Sequence, residues 1–401
     1  VSTMTTHGKK RPSRRMRTVA GVAIALMAGT LAGCGATPLG AAYSEDNPLV
    51  LRYADYTSAT SGGPFQAFAD QVTEETDGRI DFKQYWGGSL LGTADMPAGI
   101  RGGVADLGMF TATYYGSEFP FTEWISSLGS VSSTDYPDGI LQANAAQADF
   151  AMNSEQVNEQ FEDRGIKLLF SSHSITKYDI ICTSPVTSLA DAKGKRVRSG
   201  GALWDRELAA AGMIPVNVSI TETYEGLQRG VIDCALASPK TVTAYSLWDV
   251  AKHYTEIPLS GINAQYAIMN LDQWNALEPE DRDAVWDAGY TWWLEYLKYE
   301  GLGLEEKLRT EGVEDKGLTF LEGEDDLVDA IEDQQSKVVD QMPASAPESL
   351  EDPEAVIDDY VTTMDTWLER VQDMDLGTPE DIDLSEYEET VKSKLWDRNR
   401  P

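Results

Sequence analysis

Histidine and cysteine are scarce, three of each in 401 residues. His7, His173 and His253 lie far apart, and no H-E-x-x-H, C-x-x-C or G-x-S-x-G occurs, so metal and nucleophile chemistry find no recognisable spacing. Basic residues are outnumbered, 32 Lys and Arg against 66 Asp and Glu, for a formal net charge of -34. That balance argues against a nucleic-acid partner. The pairs Gly87-Gly88 and Gly102-Gly103 come without a G-x-G-x-x-G or G-K-[ST] context and read as tight turns, not phosphate loops. The apolar run Thr18–Leu31 falls short of the ~20 residues that span a bilayer. Carboxylates are plentiful, yet no pattern singles out an acid–base pair of the kind glycosidases need.

The amino-terminal segment runs against the acidic trend. Lys9, Lys10, Arg11, Arg14, Arg15 and Arg17 precede Thr18–Leu31, and Leu31-Ala32-Gly33-Cys34 follows. A basic stretch, a short apolar stretch and small residues before a cysteine read as a lipoprotein leader, 1–33, with Cys34 acylated at the new amino terminus. This predicts an extracytoplasmic protein, lipid-anchored to the outer face of the cytoplasmic membrane, with 34–48 as a flexible tether rich in Gly, Ala, Pro and Ser. An oxidising compartment permits a bond between Cys182 and Cys234, each on a strand-like segment. Two buried free thiols fit the sequence equally well.

The rest of the chain is long enough for two domains with full cores. Its organising stretch is Asp191–Asp233, which reads as strand, helix, strand, helix and strand over Lys195–Arg198, Ala202–Ala211, Ile214–Val218, Glu222–Arg229 and Val231–Leu236. Arg198 stands where the first strand gives way to Ser199-Gly200-Gly201, and open α/β folds keep ligand sites at the carboxyl ends of strands. A guanidinium there offers a planar fork that matches a carboxylate. Arg196 reads as a surface ion-pair residue. Elsewhere, Gln142–Phe161 reads as one long helix, and a helix starting at Ser238-Pro239 is expected to run through Lys252. The stripe Trp286, Tyr290, Trp293 and Leu297 after Pro279 reads as packing.

Asp191-Ala192-Lys193-Gly194-Lys195-Arg196-Val197-Arg198, followed by Thr221-Glu222-Thr223-Tyr224-Glu225-Gly226-Leu227-Gln228-Arg229-Gly230-Val231-Ile232-Asp233, resembles the paired signature of the solute-binding proteins of TRAP-type (tripartite ATP-independent periplasmic) transporters, the DctP-like family. Gly87–Gly92 and Gly103–Asp106 resemble an earlier signature of that family, so the resemblance spans Leu49 to about Glu300. It implies an α/β, two-lobed periplasmic-binding-protein-like fold of class II type, with the ligand cleft between the lobes, a long bracing helix and acidic C-terminal helices. Lobe I would take 49–175 plus about 259–300, and lobe II 176–258 plus about 301–376. The tail, 377–401, lacks an apolar period and reads as loosely docked. The resemblance further implies that Arg198 holds a ligand carboxylate and that membrane permease subunits are partners. No catalysis, cofactor or metal is implied.

Other site positions transfer with departures. A second basic position falls on Lys177 or Tyr178. The family's G-x-E-N-P after Asp233 is here Cys234-Ala235-Leu236-Ala237-Ser238-Pro239, with Ser238 as the polar substitute. The strand end after Asp106 brings Phe110 and Thr111, the first loop contributes from Asp55 to Ser58, and Trp204, Ile220 and Phe110 add apolar surface. One retained Arg with fewer polar groups points to a small monocarboxylate with an apolar or aromatic body. Two further readings stay open: a binding protein for another uptake system or receptor, and a secreted lipid-anchored hydrolase using paired carboxylates.

Overall fold

The structure, a computed structural model, describes residues 42–401 apart from 174, 379 and 380. The expected leader, Cys34 and the start of the tether lie outside the described residues. Strands β1 (Leu49–Ala54), β2 (Ile80–Tyr85), β3 (Leu107–Thr111) and β4 (Ile166–Ser172) belong to one sheet. Strands β5 (Ile175–Cys182), β6 (Arg196–Arg198), β7 (Ile214–Val216), β8 (Cys234–Ala237) and β9 (His253–Ile262) belong to a second. The chain then returns to the first sheet as β10 (Gln265–Asn270) and closes the second with β11 (Thr319–Glu322). The orders are β2-β1-β3-β10-β4 and β11-β9-β5-β8-β6-β7. The sheets are joined by two short links, one between β4 and β5 and one between β9 and β10, which is the two-lobed α/β fold expected.

The same device builds the start of each sheet. In the first, Arg52 donates its backbone N–H and its guanidinium to Asp106 at 2.7–2.9 Å. In the second, Arg196 does the same to Asp233 at 2.8–3.0 Å. The residues that follow pair in the same register, Tyr53 with Leu107 and Val197 with Cys234. Each clasp ties a strand to the turn before its parallel neighbour, so both strands end level with one another at the cleft. Gly108 must be glycine, since a Cβ there would stand 2.5 Å from the Ala54 carbonyl oxygen.

Cys182 and Cys234 face each other across the antiparallel β5–β8 pair, with Cα atoms 4.1 Å apart, and form a disulfide. This decides between the bond and the free thiols.

Three stretches differ from expectation, each for a local reason. The helix expected over Gln142–Phe161 is two helices, Asp138–Asn153 and Glu155–Glu162. Ser154 between them is extended, and its side chain accepts a hydrogen bond from Val157 N, capping the second helix. Ser154→Ala should therefore lower unfolding stability by about 1 kcal/mol in a urea titration; an unchanged midpoint would remove the cap from the account. The helix from Pro239 stops at Ala244, because Ser246 adopts a left-handed backbone (φ 53°).

The third difference is at the C-terminus. Tyr387, Val391, Leu395 and Trp396 are buried, and the Trp396 ring packs on Trp286, Tyr290 and Trp293. The tail is thus docked, and it covers the aromatic stripe of the helix Pro279–Tyr296. Its apolar residues fall in one short helix, Ser385–Val391, and a wider turn, Lys392–Trp396, too brief to show a period in the sequence. Upstream, Ile357, Tyr360, Met364, Trp367 and Val371 form one face of the helix Pro353–Gln372. That face lies along Asp138–Asn153, with Tyr360 and Trp367 donating to Gln147 and Asp149. These residues therefore pack with the first sheet rather than with the second, as had been expected for 301–376.

The Pro279 helix starts with Pro at its first turn and Glu280 and Asp281 behind it, a charge pattern suited to the helix dipole. Trp292 on its opposite face meets Tyr53, Phe65, Phe68 and Phe170. The helical run continues through a π turn, Leu297–Gly303, into Leu304–Glu314, which packs against Pro239–Ala244 beside the second sheet. One continuous rod thus spans both lobes.

Candidate functional site

β6 ends at Arg198, after which Gly201 (φ 145°) turns the chain into the helix Ala202–Ala210. The Arg198 side chain is almost fully buried, 4% exposed. Its Nε donates to the Val218 carbonyl oxygen at 3.1 Å and its Nη2 to the Tyr114 hydroxyl at 3.2 Å. Among the described residues no Asp or Glu forms an ion pair with it. The guanidinium opens into a cavity of about 280 Å³ bounded by Arg198–Gly201, Asp205 and Asn217–Ile220 on one side and by Thr93, Ala94 and Thr113–Tyr115 on the other. A charge buried without a counter-ion is expensive, and the expense is relieved when an anion enters.

Tyr114 and Ile220 also line a second, deeper hollow of about 30 Å³. Tyr56, Thr111, Tyr178, Ser238, Tyr245, Lys240 and Gln265 complete its wall. Burial pushes the Tyr56, Tyr178 and Tyr245 hydroxyls up, so these phenols remain neutral donors and acceptors. Behind Lys240 lies a smaller pocket with Asp55, Tyr296 and Glu300. Lys240 pairs with Glu300 and donates to the Tyr296 hydroxyl at 2.7 Å; Tyr296 in turn donates to Gln265 Oε1.

The residues singled out in the sequence divide among these spaces, with Ile220 shared by the first two. Arg198 and Ile220 line the outer cavity, and Thr111, Tyr178 and Ser238 line the deeper hollow. Asp55 reaches only the innermost pocket, where it accepts from Tyr53, Thr57 N and the Thr57 hydroxyl. Four residues point elsewhere. Phe110, adjacent to Thr111 on a strand, faces the opposite side and joins Phe119, Phe161 and Tyr266. Lys177 is displaced from Tyr178 by the same alternation, and its partly exposed ammonium pairs with the buried Asp179 at 3.3 Å. Trp204 is buried beneath Tyr178, with its indole N–H on the Ser260 carbonyl oxygen. Ser58 caps the short turn Ala59–Ser61.

Residues missed in the sequence include Tyr114, Tyr245, Lys240, Gln265, Tyr296 and Glu300. Lys240 had a usable signal, since Ser238-Pro239 starts a helix whose first turn must face the strand end it leaves. His173 and His253 line none of these spaces. Among the described residues no group of His, Cys, Asp and Glu is placed to hold a metal ion.

Glu123 lies beside Gly201 and the first turn of the helix Ala202–Ala210. Burial pushes its carboxyl up to about 7, against the Ala202 N–H and Arg206, which act to lower it. Asp179, fully buried, is raised to about 6 by desolvation. Both folded values lie above the unfolded ones, so the folded state holds extra protons between roughly pH 4 and 7. The stability they contribute is complete below the unfolded values and is lost as pH rises through the folded ones. The melting temperature should therefore rise as pH is lowered from 8 to 6, and Glu123→Gln should flatten that rise. A melting temperature that falls over this range would contradict the assignment.

Residues 56–344 match the family described as bacterial extracellular solute-binding protein, family 7. A solute-binding protein of Albidiferax ferrireducens is 24% identical over 233 residues, covering 54% of this chain and 63% of that relative's length. The 2,3-diketo-L-gulonate-binding periplasmic protein of Escherichia coli is 22% identical over 243 residues, 59% of this chain and 70% of the relative. Among solved structures, a marine-metagenome TRAP solute-binding protein specific for pyroglutamate superposes with a TM-score of 0.66 at 21% identity, covering 79% of this chain and 99% of its own. Another from a marine metagenome, specific for aromatic acid ligands and bound to 3-hydroxybenzoate, gives 0.67 at 18% identity, covering 80% of this chain and 99% of its own. The likeness to these structures is one of fold.

Proposed function

Because the chain belongs to family 7 of the bacterial extracellular solute-binding proteins, we propose that it captures a small organic acid between its lobes and delivers it to the membrane subunits of a TRAP-type secondary transporter. The observation that carries this reading is Arg198, a buried guanidinium with no carboxylate partner among the described residues, opening into the cavity between the lobes. The ligand carboxylate supplies the missing anion through two parallel charge-assisted hydrogen bonds. Closure of the two lobes then excludes water and presents the liganded shape to the permease, a step that needs no catalysis. The links between β4 and β5 and between β9 and β10 are the segments about which the lobes turn.

Four phenols and Ile220 beyond the arginine favour a flat or apolar body over a polyhydroxylated one. Some similar proteins bind such acids, pyroglutamate in one and 3-hydroxybenzoate in another; the galacturonate bound by a third is of the polyhydroxylated kind disfavoured here. The Cys182–Cys234 disulfide suits an oxidising compartment outside the cytoplasm. Acylation at Cys34 would hold the domain at the outer face of the cytoplasmic membrane.

A thermal-shift screen of the protein against mono- and dicarboxylates tests the reading. A specific ligand at a hundredfold excess over Kd stabilises the fold by about 2.7 kcal/mol. A monocarboxylate is expected among the responders, and turnover of a bound acid would overturn the assignment in favour of an enzyme.

A further inference from the structure

The deeper hollow has a cation of its own, and its charge is already balanced. Lys240 lines both the hollow and the pocket behind it, and there it pairs with Glu300, whose side chain is 1% exposed. Asp55 stands in the same rear pocket and adds a second carboxylate behind the ammonium. Arg198, at the outer cavity, has no such partner among the described residues. The two cations of the cleft are therefore unequal, one awaiting an anion and the other already neutralised.

The hydrogen-bond directions sharpen the contrast. Lys240 spends one N–H on Glu300 and a second on the Tyr296 hydroxyl, and Tyr296 passes its own proton to Gln265 Oε1. An ammonium has three donors, and a glutamine whose oxygen is occupied still offers its amide N–H groups. The inner wall of the hollow thus presents donors, the third Lys240 N–H and the Gln265 amide, and it lacks a free positive charge. Glu300 is held in place by the π turn Leu297–Gly303, a break in the long rod whose position fixes the carboxylate behind Lys240.

We propose that Lys240, balanced by Glu300, is a second recognition point that reads an uncharged acceptor oxygen at the end of the ligand away from its carboxylate, and that it turns dicarboxylates away. The proposal rests on the solute-capture reading above and narrows the ligand to a monocarboxylate bearing a carbonyl, hydroxyl or ether oxygen across a flat body. An acid without that oxygen leaves buried donors unsatisfied. A second carboxylate brought to Lys240 meets Glu300 and Asp55 behind it, and like charges at close quarters disfavour binding.

The test is calorimetric titration of the protein with two matched sets. One set is benzoate, 3-acetylbenzoate and isophthalate; the other is cyclopentanecarboxylate and pyroglutamate. In at least one set the oxygen-bearing monoacid should bind about tenfold or more tighter than its plain parent, with isophthalate the weakest of the aromatic acids. The double variant Lys240→Met/Glu300→Gln, which removes both members of the ion pair together, should bring the ratio to about one. Glu300→Gln alone removes the carboxylate paired with the ammonium and leaves only Asp55 behind it, and isophthalate should then gain about tenfold on benzoate. Gln265→Leu, outside the ion pair, should reduce the ratio even if the double variant does not fold. A ratio near one in the unaltered protein, a ratio retained in the double variant, or isophthalate as the tightest ligand overturns the proposal while leaving solute capture standing. Failure of every acid to bind would sink the solute-capture reading itself.

Discussion

Arg198→Ala should abolish measurable binding of whichever acid stabilises the protein, with a rise in Kd of at least a hundredfold by calorimetry. The guanidinium has five N–H donors, of which one goes to the Val218 carbonyl and one to the Tyr114 hydroxyl. Three remain for a carboxylate. Hydrogen bonds between charged partners contribute about 1.5–3 kcal/mol each, so losing two removes roughly 3 kcal/mol or more. Arg198→Lys should recover little of it, because an ammonium cannot make the parallel pair. The same change should have the opposite sign on the unliganded protein. A buried cation without a partner weakens the fold, so Arg198→Met should leave the unliganded melting temperature unchanged or raise it. Wild-type affinity in Arg198→Ala would remove the arginine from the site and leave the family assignment resting on the motifs and the fold.

Breaking the disulfide should have the largest effect on stability. Cys182 and Cys234 are 52 residues apart in the chain. Closing a loop of that length restricts the unfolded chain enough to stabilise the fold by about 4 kcal/mol. For a chain of this size that corresponds to a drop in melting temperature of about 5 °C in Cys182→Ser or Cys234→Ser. Adding reductant to the unaltered protein should reproduce the drop once the bond is opened. Both cysteines lie in central strands of the second sheet, which also carries Arg198, so the reduced protein should bind its ligand over a narrower temperature range. Serine variants that melt with the unaltered protein would show that the bond contributes nothing.

The fold was legible because its signals are local and repeated. Each sheet carries its own motif, with glycine where the backbone turns, whereas the arginine–aspartate clasps behind the motifs were not legible: Arg52 goes unremarked in the sequence and Arg196 reads only as a surface ion-pair residue. Helix starts at Pro279 and Ser238-Pro239 were readable from capping chemistry. The stops were less so, because a left-handed Ser246 and an extended Ser154 are choices made against tertiary neighbours. At the site, Arg198, Thr111 and Ser238 were legible as strand ends, and Tyr178 as one of two adjacent alternatives that the family resemblance left open. Phe110 and Lys177 were misplaced by a single residue, which on a strand means the opposite face. Lys240 and Tyr245, from a short helix and the loop after it, meet Tyr296 and Glu300, from the end of the Pro279 helix and the π turn that follows, far apart in sequence. No spacing rule connects them.

The two clasps described above have a consequence for how a ligand lies. Counting from the aspartate of each clasp, Thr111 and Ser238 are equivalent positions, and both bring a hydroxyl to the same hollow. Counting from the arginine of each clasp, the equivalent of Arg198 is Ala54, paired with Gly108 as Arg198 is with Ala235. The framework is therefore nearly indifferent to which way round a guest is held, while the charge is not. Head and tail are told apart at one point of an otherwise matched pair of halves. Such a receptor can change the polarity or the class of its guest by a few side-chain exchanges at strand ends, with no redrawing of the scaffold that carries them.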